Sequence, residues 1–265
     1  MKRLLPLLLL LASCSAAPRS VETGLRLNPV PPGQNLPDYA KRPFEPFSRT
    51  NAVGIAQREW RAFGSVMDDA PPGTNPLSRV LRPDQQPGLW QRVGDYWWSG
   101  QDAGTRETGW TSRYDESGTA YQADAPAWSA AFISYVLRTA GAGTRFPSSP
   151  LHADYINAAA QGSAVLHAEP PDQYPPQPGD LICTGRANAR GIRFQDLPAG
   201  RFFGHCDLVV DAAPGQITVI GGNVSGGVTM KHVPITLAGT LAGPDGEAVD
   251  PRYSWFVALR VLYDI

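Results

Sequence analysis

The fold of this chain is decided by the stretch PAWSAAFISYVLRTAG, residues 126–141. Apolar residues cover almost its whole circumference, which predicts a helix buried in a core. Pro126 near its start and Gly141 at its end match the preferences of helix termini. Ser129 falls in the first turn, where backbone N–H groups lack partners and the helix dipole is positive. That position favours a thiolate or a developing oxyanion, although a serine can also simply satisfy those N–H groups.

Helical patterns surround this stretch, and strand patterns follow it. Apolar spacings of three and four predict helices near residues 51–64, 87–100 and 149–162, the last with Ser149 as cap and Pro150 in its first position. Five short β-branched runs bounded by Gly, Pro and Asp predict strands. These runs are GDLICTG, HCDLVVD, QITVIGG, VTMKHVPI and YSWFVALRVL. Helices followed by strands indicate an α+β fold, with the helices packed on a small antiparallel sheet.

The amino terminus, MKRLLPLLLLLASCSAAP, has a basic start and then an apolar run too short to span a bilayer. It predicts a secretory signal over residues 1–13. Its end, Leu-Ala-Ser-Cys, resembles the bacterial lipobox, which implies a lipid on Cys14. A plain signal peptide with a chance cysteine is the alternative. Ser15 favours the periplasmic face of the outer membrane of a Gram-negative bacterium.

Residues 14–50 are rich in Pro, Gly, Asn and Ser and show no periodicity, so we expect a tether ahead of one folded domain at 51–265. The formal net charge of −1 offers no basic surface for nucleic acid. No His/Asp/Glu spacing is typical of a metal site, and the glycine-rich turn GGNVSGG lacks the lysine of a phosphate loop. We therefore predict no cofactor and no metal.

Three further motifs follow the central helix: PQPGDLIC, FGHCDLVV and ITVIGGNVSGG. Together with the helix they resemble the papain-like CHAP and NlpC-type amidases and endopeptidases, and most of all the branch called domain of unknown function 2272. In that superfamily a Trp-Cys-Ala-x-Phe helix start is followed by Pro-Gly-Asp, Gly-His and Gly-Asn. The matching residues are Trp128, Ser129, Ala130, Phe132, Pro178, Gly179, Asp180, Gly204, His205, Gly222 and Asn223. The resemblance implies a papain-like core.

The resemblance also implies roles for individual residues. Ser129 would be the nucleophile, His205 the general base and then acid, and Asn223 the residue that orients the imidazole. Trp128 and His152 are expected to line the cleft.

Serine stands at Ser129 where the superfamily has cysteine. A serine hydroxyl does not ionise as a thiol does, so it depends on a histidine and benefits from a carboxylate behind that histidine. Asp207 lies two residues after His205 on the same strand face and is a second candidate for orienting the ring.

The strands around Cys183 and Cys206 are expected to be neighbours, separated by a long irregular insertion, Arg186–Phe203. A disulfide between the two cysteines suits an oxidising envelope, and two buried free thiols are the alternative. Cys206 is not expected to replace the nucleophile, because adjacent strand side chains point to opposite faces.

The resemblance therefore implies a lipid-anchored envelope hydrolase that cleaves amide bonds of peptidoglycan stem peptides through a Ser-His(-Asn) site. A domain that retains the cleft and binds peptidoglycan or a protein without catalysis is the alternative, and ester hydrolysis is a third possibility. The expected partners are a peptidoglycan or envelope peptide and, through the lipid, the membrane. The sequence leaves the oligomeric state open.

Overall fold

The computed structural model describes residues 46–72, 74, 82–102, 105 and 126–265. The chain divides into two units, residues 1–44 and Glu45–Ile265, and every described residue belongs to the second. The predicted signal peptide, Cys14 and nearly all of the predicted tether lie outside the described residues. The folded unit begins several residues before the expected boundary at 51, because Phe47 is fully buried in its core.

Four α-helices come first in the described chain: α1 (Arg49–Ala62), α2 (Leu89–Gly100), α3 (Ser129–Leu137) and α4 (His152–Ala160). A π-helical turn, Arg138–Ala142, extends α3. Within the described ranges, no helix combines the length and the apolar character needed to cross a bilayer.

The start of α4 differs from its prediction. The predicted cap was Ser149 with Pro150 in the first position, yet the helix begins at His152. The Ser149 hydroxyl instead accepts a hydrogen bond from the Leu151 N–H at 3.0 Å, so it holds the turn ahead of the helix. This shift places His152 at the helix start.

Six strands form one antiparallel sheet in the order β1-β6-β2-β3-β4-β5. Their bounds are β1 Leu166–Glu169, β2 Leu181–Gly185, β3 Gly204–Ala213, β4 Gln216–Val224, β5 Gly227–Pro234 and β6 Trp255–Val261. Five of them match the predicted runs, and β1 was missed because four residues give too little alternation to detect. The predicted α+β class, with helices on an antiparallel sheet, is confirmed.

The sheet is buried on both faces. The main core lies between the sheet and the helices and includes Phe132 of α3 and Leu208 of β3. Phe132 lies directly against β4 at Gly222, where an added Cβ would come within 2.7 Å of the Phe132 side chain. A smaller cluster includes Val219 and Trp255. Its residues alternate along the strands with those of the main core. Strand alternation therefore assigns the two clusters to opposite faces of the sheet.

The register of β2 and β3 pairs Cys183 with Cys206, and a disulfide joins them with their Cα atoms 4.1 Å apart. The neighbouring pairs are Thr184 with His205 and Ile182 with Asp207. The insertion between these strands is composed mainly of loop, with two short 3-10 turns, Ala187–Ala189 and Phe194–Asp196.

Candidate active site

Trp128 fixes the start of α3. Its side chain is fully buried, and its indole N–H donates to the Asp84 carboxylate at 3.1 Å. The prediction that Trp128 lines a cleft is therefore wrong, because a side chain with no exposed surface cannot present itself to a ligand. Its role is to anchor the helix whose first residue is Ser129.

The Ser129 hydroxyl is hydrogen-bonded to His152, with 2.7 Å between Oγ and Nε2. His152 is the first residue of α4 and is 4% exposed, whereas Ser129 is partly exposed. The second ring nitrogen of His152, Nδ1, is hydrogen-bonded to the Tyr155 hydroxyl one turn later. When Nδ1–H donates to Tyr155, the lone pair of Nε2 faces the serine and can accept its proton.

His205, the expected base, lies next to His152. The two ring centroids are 5.3 Å apart, and His205 is 2% exposed. No hydrogen bond joins Ser129 to His205 among the described residues. The expected pairing of Ser129 with His205 is therefore replaced by a pairing with His152, the first residue of α4.

Asp207 lies against the His205 ring. Its Oδ1 is 2.9 Å from His205 Nε2, although the two atoms are not aligned for a good hydrogen bond. Its Oδ2 accepts a hydrogen bond from the Lys231 ammonium at 2.8 Å. Asp207 and Lys231 are both completely buried. A carboxylate in this position needs its cation, because an unpaired buried charge is very costly.

A glycine on the neighbouring strand makes room for this carboxylate. A Cβ added to Gly221 would collide with Asp207 Oδ1 and approach His205 Nε2 to 3.1 Å. Gly221, Lys231 and Tyr155 were not predicted from the sequence. The pair Gly221-Gly222 in VIGGNV was the available signal, since glycine inside a strand often marks a close approach by another group.

Asn223 does not take the place expected for it. Its backbone is in the left-handed region, with φ of 56°, at an irregularity in the pairing of β4 with β5. Among the described residues Asn223 makes no hydrogen bond to His205, and it lines a surface cavity of about 670 Å³. Asp207 occupies the position beside the His205 ring that Asn223 was expected to have.

Burial and neighbouring charges set the protonation of this cluster. Burial lowers the pKa of His152 well below its usual value, and the nearby His205 and Arg186 lower it further. Burial and Arg186 lower the pKa of His205 to about 4, against the opposing effect of Asp207. Burial raises the pKa of Asp207, but Lys231 and His205 outweigh it and hold that pKa far below its usual range. At neutral pH both histidines are therefore neutral and Asp207 is ionised.

In the described part of the chain, no group of three or more His, Cys, Asp or Glu side chains is arranged to hold a metal ion. The site is thus built of organic groups: a hydroxyl, two neutral imidazoles and a buried ion pair. Such a set can transfer a proton from a hydroxyl and stabilise the imidazolium that results.

The fold and the site define an α+β domain with a serine–histidine pair at the start of a buried helix. A family model described as "Uncharacterized protein conserved in bacteria (DUF2272)" matches residues 84–261, more than half of the chain. The chain belongs to this family, which confirms that part of the resemblance found in the sequence. No curated protein and no solved structure matches the chain.

Proposed function

We propose that this protein is a hydrolase of amide bonds in the bacterial cell envelope, with Ser129 as nucleophile and His152 as its general base. The observation that carries the proposal is the 2.7 Å hydrogen bond between Ser129 Oγ and His152 Nε2. A nucleophile and a base within hydrogen-bond reach, with the base held in turn by a third group, are the usual elements of covalent catalysis. Tyr155 is that third group here.

The reaction would proceed through an acyl-enzyme. Ser129 Oγ attacks the amide carbon while His152 Nε2 takes the hydroxyl proton. The C–N bond then breaks, and the same nitrogen returns the proton to the leaving amine. Water attacks the resulting ester with His152 again as base, which releases the acid and restores the serine hydroxyl.

Two features of the fold favour this chemistry. Among the described residues no side-chain hydrogen bond caps α3, which leaves its first backbone N–H groups as candidate donors to an oxyanion that develops at Ser129. Burial lowers the pKa of His152 most, and His205 and Arg186 lower it further, but the negative charge of Asp207 opposes them and favours the protonated form. Asp207 would therefore stabilise the transient imidazolium without touching it.

The cell envelope is proposed from the amino terminus, and peptidoglycan stem peptides from the resemblance to CHAP and NlpC-type enzymes. Both depend on the sequence, since the lipobox lies outside the described residues. A Cys14→Ser variant tests the anchor. It should be released from the membrane fraction by osmotic shock, whereas the wild-type protein stays with the membranes; retention of the variant would contradict lipid anchoring.

Digestion of purified peptidoglycan tests the activity. The full-length protein in non-ionic detergent would be compared with Ser129→Ala and Ser129→Cys, and products identified by mass spectrometry. Wild-type release of muropeptides, lost in Ser129→Ala, would support the proposal and identify the bond. Release only by Ser129→Cys would indicate a cleft whose nucleophile is disabled.

A binding domain without catalysis is the second candidate. It is favoured by the position of Asp207, which lies against His205 and Lys231, so that a tyrosine rather than a carboxylate supports the histidine nearest the serine. If none of the three proteins releases muropeptides and the wild-type chain is retained on insoluble peptidoglycan, this candidate is supported over the hydrolase.

A further inference from the structure

A cavity of about 670 Å³ opens beside the candidate active site. Its volume lies within the range of about 300–1,000 Å³ that is typical of sites for small ligands. Its walls come from four places: the segment after α1, the end of β2 with the following turn, the end of β4 and the segment before β6. Thr184 in the wall from β2 pairs in register with His205, so this wall lies one strand away from that histidine.

Two arginines give this cavity its charge. Arg186 and Arg190 are exposed at its wall, and neither guanidinium has an ion pair or hydrogen bond within the described residues. A third arginine, Arg252, is already bound to Asp250 at 2.9 Å. One carboxylate, that of the buried Asp68, also lines the cavity. The two uncommitted guanidiniums therefore leave the cavity suited to an anion.

Backbone strain is concentrated at the same place. Four described residues other than glycine have a left-handed backbone, and three of them line this cavity: Ala187, Asn223 and Ser225, with φ of 52°, 56° and 53°. Such conformations cost free energy and tend to occur where a site must present a fixed surface to a ligand. Ala187 has no polar side chain that could stabilise a left-handed backbone by a local hydrogen bond, so the tertiary structure must impose this conformation.

We propose that this cavity binds an anionic group, a carboxylate of the peptide substrate, through Arg186 and Arg190. Guanidinium groups bind carboxylates with paired, charge-assisted hydrogen bonds, and the polar side chains of Asn223 and Ser225 supply further partners. The proposal rests on the proposed function for the identity of the peptide. The anion site itself does not require that Ser129 be reactive.

Binding to the Ser129→Ala variant tests the site apart from turnover. The full-length protein in non-ionic detergent would be titrated calorimetrically with the peptidoglycan stem tetrapeptide, carrying either free or fully amidated carboxylates. The free acid should bind at least about tenfold more tightly, because charge-assisted hydrogen bonds are lost in the amide. Arg186→Gln combined with Arg190→Gln should abolish this difference.

Arg201→Gln is the matched control, since Arg201 is an exposed arginine of the same insertion that lines a different cavity. It should leave the preference unchanged. A separate titration with inorganic phosphate tests whether the site prefers a peptide carboxylate or a free phosphate. Arginine-dependent binding of phosphate without a preference for the free peptide acid would overturn the carboxylate assignment.

If neither the peptide nor phosphate binds in an arginine-dependent way, the proposed anion site is overturned. Thermal unfolding of each variant would confirm that the exposed substitutions leave the fold intact. Arginine-dependent binding with no hydrolysis by the wild-type protein would instead contradict the proposed function and leave the anion site standing. The two failures are therefore distinguishable.

Discussion

Ser129 and His152 are hydrogen-bonded at 2.7 Å across the junction of two helix starts. Each residue is the first of its helix, and the two are held there by different anchors. Trp128 fixes the serine through Asp84, and Tyr155 fixes the histidine. This arrangement places a neutral imidazole against the serine hydroxyl.

Replacement of His152 should cost more activity than replacement of His205. General-base catalysis contributes about 10²–10⁴-fold, so His152→Ala should lower kcat/KM by that factor and approach Ser129→Ala. His205→Ala should cost less, because within the described part of the chain the serine is hydrogen-bonded to His152 and not to His205. The measurement is muropeptide release under identical conditions, with the exposed His167→Ala as control. Equal or greater loss in His205→Ala would assign the base to His205.

Stability should fall as the pH is lowered from about 6.5 toward 4. Both buried histidines have a pKa below the value of about 6.5 for an unfolded chain, so the unfolded state takes up protons first and the free energy of unfolding decreases. For His205, whose pKa is about 4, the contribution is on the order of 3 kcal/mol. It is fully present above pH 6.5. The contribution of Asp207 to stability is lost only at lower pH, because its pKa in the folded state is depressed from a usual value near 3.8.

Urea unfolding at several pH values would measure this dependence. His205→Gln, which cannot take up the proton, should have a shallower dependence than the wild-type protein between pH 6.5 and 4. His167→Gln should retain the wild-type slope, since His167 is exposed. An unchanged slope in His205→Gln would show that its burial does not control the acid sensitivity.

Removal of Lys231 should destabilise the domain strongly. Its ammonium is completely buried, bound to Asp207 and 4.9 Å from the centre of the Tyr253 ring. Lys231→Met leaves the Asp207 carboxylate buried without its cation, which typically costs about 3–5 kcal/mol. Urea unfolding measures this loss. An exposed cation, Arg61, offers the control, and Arg61→Met should change stability by no more than about 0.5 kcal/mol.

A double variant separates the ion pair from simple packing. Lys231→Met combined with Asp207→Leu removes both charges, and its cost should be less than the sum of the two single substitutions. Additive costs would mean that the two residues stabilise the domain independently.

The disulfide between Cys183 and Cys206 should contribute about 3 kcal/mol, because it closes a loop of 23 residues in the unfolded chain. Cys183→Ala with Cys206→Ala should lower the free energy of unfolding by about that amount. The variant should also be insensitive to dithiothreitol, which would destabilise the wild-type protein. Detection of two free thiols in the unreduced wild-type chain would contradict the bond.

The sequence predicted much of the arrangement from local patterns. The apolar circumference of residues 126–141 predicted the buried helix, and strand alternation predicted that His205 and Asp207 leave from one face while Cys206 leaves from the other. These inferences depend only on the periodicity of side chains, 3.6 residues in a helix and 2 in a strand, which can be read from the order of residues. The α+β class followed from the same patterns.

Tertiary packing decided which groups meet. The family resemblance implied His205 as the partner of Ser129, yet the start of α4 brings His152 to the hydroxyl from 23 residues away. It also gave no sign of Lys231, which reaches Asp207 across β4, or of the arginines that share a cavity with Asn223. Local periodicity fixes the face on which a side chain leaves its element. The distance between two such side chains depends on how whole helices and strands pack, and only the folded structure determines that distance.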